Sequence, residues 1–162
     1  MVIKISIESV YDLAVKIAEE RHNQKKTYKS HLKLSDNYEL VGVLGEMVFS
    51  LLIQEKMDVD LKENGDDGFD FKSINIKSSE EHKAKHLIEF VDKKFDGYYV
   101  FIILNLEGKY GYVKGFIHSK IFREIAEIKN FGYGDRLSLE LCKLNEWVPL
   151  KPLELNNIYR II

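Results

Sequence analysis

Residues 40–54, LVGVLGEMVFSLLIQ, hold one charge, Glu46, in a run that is apolar on almost every helical side. A helix of this kind cannot lie on a surface with one face in water. It must be covered on most sides. The run is too short for a bilayer and is interrupted by Gly42, Gly45 and Glu46, so a transmembrane reading is rejected. The helix is expected to start near Asp36, where Asp36-Asn37-Tyr38-Glu39 sets a capping acid three residues ahead of a glutamate, and to end near Lys56.

The rest of the chain must supply the cover. Ser9 to Glu20 places Val10, Leu13, Ala14, Ile17 and Ala18 on one helical face. Tyr98 to Leu106, YYVFIILNL, is apolar nearly throughout and reads as a central strand. Phe69–Phe71 and Ile74–Lys77 read as two short strands after a turn at Gly65 to Gly68, and Tyr110–Ile117 as another strand after the turn at Glu107-Gly108-Lys109. Ser119 is expected to cap a helix over Lys120–Ile128, and a turn at Gly132 to Gly134 leads to a weaker strand near Leu137–Cys142. This order implies a single α/β (α+β) domain over residues 1–162, with a central mixed β-sheet flanked by helices.

Composition sets outer bounds. With 162 residues, 45% of them hydrophobic, and only two prolines, the chain has enough material for one packed core. Met1 to Ile7 alternates like a strand and lacks the apolar core of a signal peptide, so an intracellular, cytoplasmic location is expected. The single cysteine, Cys142, cannot form an internal disulfide and is read as core filler. A net charge of −2 argues against coating of nucleic acid or anionic membrane by bulk charge. Local charge remains available. From Arg21 to Ser35 the cations Arg21, Lys25, Lys26, Lys29 and Lys33 occur with no acid, which makes a positive patch or a solvated loop.

The segment DDGFDFKSINIKSS, Asp66 to Ser79, concentrates polar groups on a predicted hairpin. If its turn is Lys72-Ser73, Phe71 faces Ile74, Asp70 faces Asn75 and Phe69 faces Ile76. Asp70, Asn75 and Lys77 then share one face, and Phe69, Phe71, Ile74 and Ile76 the other. Opposed residues lie about 5 Å apart and same-face neighbours about 7 Å apart, so a carboxylate, an amide and an ammonium converge on a space about one hydrated ion wide. Mg²⁺ takes oxygen ligands and retains waters, and Glu46 could add a second carboxylate if its helix packs on this sheet. The plainer alternative is a cross-strand ion pair between Asp70 and Lys77 and an internally satisfied Glu46. A zinc site at His82, His86 and His118 is rejected on spacing.

Glu46 in GVLGEMVF, Asp70 in DGFDF and Lys77 in INIKSS together resemble the PD-(D/E)XK nuclease superfamily over Gly42 to Ser79. The resemblance implies a restriction-endonuclease-like core and hydrolysis of phosphodiester bonds, with DNA as the expected partner and a homodimer possible. It implies a Mg²⁺ or Mn²⁺ ion held by Glu46, Asp70 and the backbone carbonyl of Ile76. Lys77 would orient the attacking water, while Arg21, Lys25, Lys26, Lys29 and Lys33, with Lys83, Lys85 and His86, would hold phosphates. The chain departs from the pattern at Asn75, a neutral ligand where the superfamily carries an acid. Asp67, Glu80 and Glu81 are candidates for a displaced acid. The alternative is a catalytically degenerate relative that binds nucleic acid or a protein partner.

Overall fold

The computed structural model describes residues 2–25, 37–55, 71 and 73–146, with the side chains of residues 24 and 25 excluded. A short strand β1 (Ile5–Ser6) and a single 3-10 turn lead into helix α1 (Tyr11–Lys25), followed by α2 (Tyr38–Ile53). The strands are β2 (Ile74–Glu80), β3 (His86–Phe90), β4 (Tyr98–Asn105), β5 (Tyr110–His118), β6 (Glu127–Asn130) and β7 (Asp135–Glu140), with α3 (Ser119–Ile125) between β5 and β6.

A mixed four-stranded sheet, ordered β1-β5-β4-β2, forms the middle layer. β2 runs parallel to β4, and β4 antiparallel to β5. As predicted from its apolar run, β4 lies inside the sheet and is buried on both faces. Val100, Ile102 and Leu104 join a core with α1 and α2, while Tyr99, Phe101 and Ile103 join a second core on the opposite side. The α/β class and the mixed sheet flanked by helices are therefore observed.

Helix α2 is buried on most sides, as its sequence demands. Val43, Leu44 and Val48 are fully buried, and Phe49 packs edge-on to Phe71 with ring centroids 5.1 Å apart. Gly45 is the point of closest approach to the sheet. A Cβ there would stand 2.5 Å from Ser78 Cβ, and Ser78 Oγ donates to the carbonyl of Val41 at 2.8 Å. The helix ends when Gln54 turns left-handed at φ 57°. Its N-cap is Asn37, without a side-chain cap bond; Asp36 and Lys56 lie outside the described residues.

Several elements differ from the sequence reading. α1 continues five residues past Glu20, because Arg21 to Lys25 contains neither glycine nor proline and Arg21 gains an internal partner. α3 stops at Ile125, and Glu127–Asn130 leaves it to become a strand. His118, not Ser119, caps α3: its Nδ1 accepts from the Lys120 amide at 3.2 Å. Ser119 is buried and its Oγ accepts instead from the Gly97 amide at 3.3 Å. Cys142 is exposed, in a 3-10 turn beyond β7, and not core filler.

The largest difference is a second sheet, antiparallel and ordered β3-β7-β6, stacked on the far face of the first. Leu87, Leu137 and Leu139 turn inward against Tyr99, Phe101, Ile103 and Phe122. The layers are thus two helices, the mixed sheet, and the small sheet with α3.

Candidate functional site

The predicted hairpin turn exists. Phe71 and Ile74 form an antiparallel bridge, with Ile74 N donating to Phe71 O at 2.9 Å and Phe71 N to Ile74 O at 3.2 Å. Two residues lie between them, as expected, and Ser73 takes φ 57°, the left-handed conformation that such turns require. Asp70, Asp67 and Phe69 lie outside the described residues, as do Lys26, Lys29, Lys33 and the side chain of Lys25.

Along β2 the predicted alternation holds. Ile74 and Ile76 belong to the helix-side core, so Asn75 and Lys77 point to the opposite face, between the sheets. Asn75 is buried. Lys77 Nζ lies 2.9 Å from Glu89 Oε2, and 5.9 Å from the centre of the Tyr99 ring. Glu89 is only 4% exposed and comes from β3. Its Oε1 accepts from the Phe90 amide at 2.9 Å. Burial and the adjacent Glu89 carboxylate push the Tyr99 hydroxyl well above its ordinary range.

Glu46 sits on the other side of the mixed sheet. It is 8% exposed, and it receives both arms of a guanidinium: Arg21 Nη1 to Oε1 at 2.8 Å and Nη2 to Oε2 at 2.9 Å. This fork ties α1 to α2. A carboxylate on an apolar helix needs a cation, and Arg21, at the head of the basic stretch, is that cation. Glu46 and Lys77 are accordingly engaged with different partners on opposite faces.

Among the described residues, Glu46 and Glu89 already meet cations of the chain itself. Both Glu46 oxygens accept guanidinium N–H groups, and a metal there would meet a positive charge within hydrogen-bond distance. On the Lys77 face the described carboxylate, Glu89, already faces an ammonium. Among the described residues no three His, Cys, Asp or Glu side chains gather as a metal cluster would. The carbonyl of Ile76 belongs to a strand paired with β4.

The accessory acids are also placed. Glu80 accepts from Lys83 Nζ at 2.7 Å and Asn37 Nδ2 at 2.9 Å, and these bonds hold its carboxyl below the usual carboxylate range. Glu81 accepts from Asn105 Nδ2 at 2.8 Å. His86 opens β3, and its ring lies 6.3 Å from that of Phe131.

Sequence reasoning missed Glu89. In HLIEF the apolar Ile88 and Phe90 alternate with Leu87 and Glu89, so pattern alone would bury the Ile88 face. The structure buries Leu87 and Glu89 and leaves Phe90 46% exposed. The signal that could have found it is Lys77, a cation facing a core and therefore in need of an anion.

Comparison with protein-family models, curated proteins and solved structures finds no match. Among the described residues, no helix is long and apolar enough to cross a membrane.

Proposed function

We propose that this chain is a degenerate relative of the PD-(D/E)XK nucleases, a restriction-endonuclease-like domain that binds nucleic acid without hydrolysing it. The observation that carries the reading is internal charge matching. Glu46 is held by Arg21, Lys77 by Glu89, and position 75 is an amide. A catalytic carboxylate needs a lone pair open to the metal, and a catalytic lysine must be able to reach a phosphate or its attacking water. Here the geometry gives these groups structural partners. The basic stretch that follows Arg21 supports nucleic acid as the ligand: with Arg21 engaged by Glu46, Lys25, Lys26, Lys29 and Lys33 remain, with no acid among them.

The test is binding and cleavage measured together. Fluorescent single-stranded and duplex DNA is titrated with protein, then incubated with Mg²⁺ or Mn²⁺. Binding that weakens steeply with salt and leaves the strands intact is the expected result. Metal-dependent cutting abolished by Lys77→Ala would overturn the reading in favour of a hydrolase. Absence of binding to either DNA would remove the assigned ligand.

The hydrolase is the second reading, and a specific observation favours it. The Phe71–Ile74 bridge forms as the predicted hairpin requires, and beyond it Asn75 and Lys77 share a face of β2. In that reading Asp70 would complete the site, and Asp70→Ala would stop cleavage.

A further inference from the structure

The outer face of the small sheet carries a row of rings and cations. Backbone register aligns Phe90, Arg136 and Lys129 across β3, β7 and β6, since Phe90 pairs with Arg136 and Lys129 with Arg136. The guanidinium of Arg136 lies over two rings, 4.3 Å from the centre of Phe90 and 5.3 Å from that of Tyr133. Tyr133 in turn lies nearly parallel to Phe131, at 17° and 6.0 Å.

A constrained turn holds two of these rings. In Asn130-Phe131-Gly132-Tyr133-Gly134 both glycines have positive φ, 88° and 97°, which side-chain-bearing residues rarely adopt. Asn130 Oδ1 accepts from the Gly132 amide at 2.8 Å, and Asn130 Nδ2 donates to Asp135 at 3.1 Å. The turn thus sets Tyr133 beside Arg136 and Phe131 beside Tyr133. Yet the rings are not covered: Phe90 is 46% and Tyr133 41% exposed.

We infer that this face is a stacking platform for single-stranded nucleic acid. The inference rests on the nucleic-acid-binding reading and specifies the strand form and the surface. Unpaired bases expose π-faces that stack on Phe, Tyr and guanidinium planes regardless of sequence, whereas a duplex keeps its bases stacked on one another. The cations in the row supply the complementary charge for a phosphate backbone: Arg136, held over Phe90 and Tyr133, with Lys129 beside it. Lys129, which pairs with Glu127 at 3.1 Å, would exchange that carboxylate for a backbone phosphate.

The experiment measures fluorescence anisotropy of labelled oligothymidylate and of a duplex of equal length, with the whole chain and its Phe90→Ser, Tyr133→Ala and Tyr133→Trp variants. Circular dichroism melts establish that each variant is folded. The expected result is a loss of about 10-fold or more in single-strand affinity for Phe90→Ser and for Tyr133→Ala. Tyr133→Trp, which retains a ring, keeps the affinity, and duplex binding changes little. Single-strand affinity unchanged in both ring-removing variants overturns the platform while leaving the nucleic-acid reading intact. Failure of the unaltered chain to bind either DNA overturns both. Self-association in gel filtration that Phe90→Ser abolishes, without oligonucleotide binding, would assign the face to a second copy of the chain and also overturn the platform.

Discussion

Removing the ammonium of Lys77 should expose how much the fold relies on it. Its Nζ lies 2.9 Å from Glu89 Oε2, with side-chain exposures of 27% and 3%. At an effective dielectric of about 20 the gross attraction is on the order of 6 kcal/mol, offset by the desolvation of both ions. Breaking a fully buried pair costs roughly 3–5 kcal/mol, because the remaining charge is stranded. Water reaches the lysine end here, so Lys77→Met should cost about 2–3 kcal/mol. Met retains most of the aliphatic stem, which confines the loss to charge. Glu89→Gln added to Lys77→Met removes the stranded carboxylate and should recover about 1–2 kcal/mol, a coupling typical of contacting residues. Urea unfolding at neutral pH gives all four corners of the cycle. A Lys77→Met stability within about 0.5 kcal/mol of the unaltered protein, with additive effects in the double variant, would refute the reasoning. The lysine would then be free for some task other than holding the two sheets together.

Two further predictions concern the helix face of the sheet. Gly45→Ala puts a methyl group 2.5 Å from Ser78 Cβ, and overpacking of about 1–3 kcal/mol should exceed the roughly 1 kcal/mol that alanine contributes to a helix; an unchanged or raised Tm would contradict this. The Glu80 carboxyl is held below the usual carboxylate range by Lys83 and Asn37, so its contribution is complete above the unfolded-state value and is lost as pH falls through the lower, folded-state one. Glu80→Gln should therefore flatten part of the acid-side fall in stability measured by urea titration at a series of pH values, and an unaltered acid slope would count against the assignment.

The elements legible in the sequence were those whose local pattern has one physical solution. An apolar-all-round helix at residues 40–54 can only be buried. A strand apolar nearly throughout, at 98–106, belongs inside a sheet. The facing of β2 followed from alternation, because a one-residue slip would send Ile74 and Ile76 to the polar face. The resulting α/β arrangement was therefore written largely in local periodicity.

Partner choice was not local, and there tertiary structure decided. The sequence showed that Glu46 required a cation or hydrogen bonds, but Arg21 stands 25 positions away, and only the packing of α1 on α2 selects it. Strand alternation records polarity without recording what lies across the gap; stacking of the second sheet on the first brings Lys77 to Glu89 and makes its burial tolerable. The second sheet itself depends on pairing β3 with β7 across some 50 residues, a contact no short window contains. Charge neutralisation acts through space over a few ångströms, whereas sequence pattern reports only neighbours along the chain.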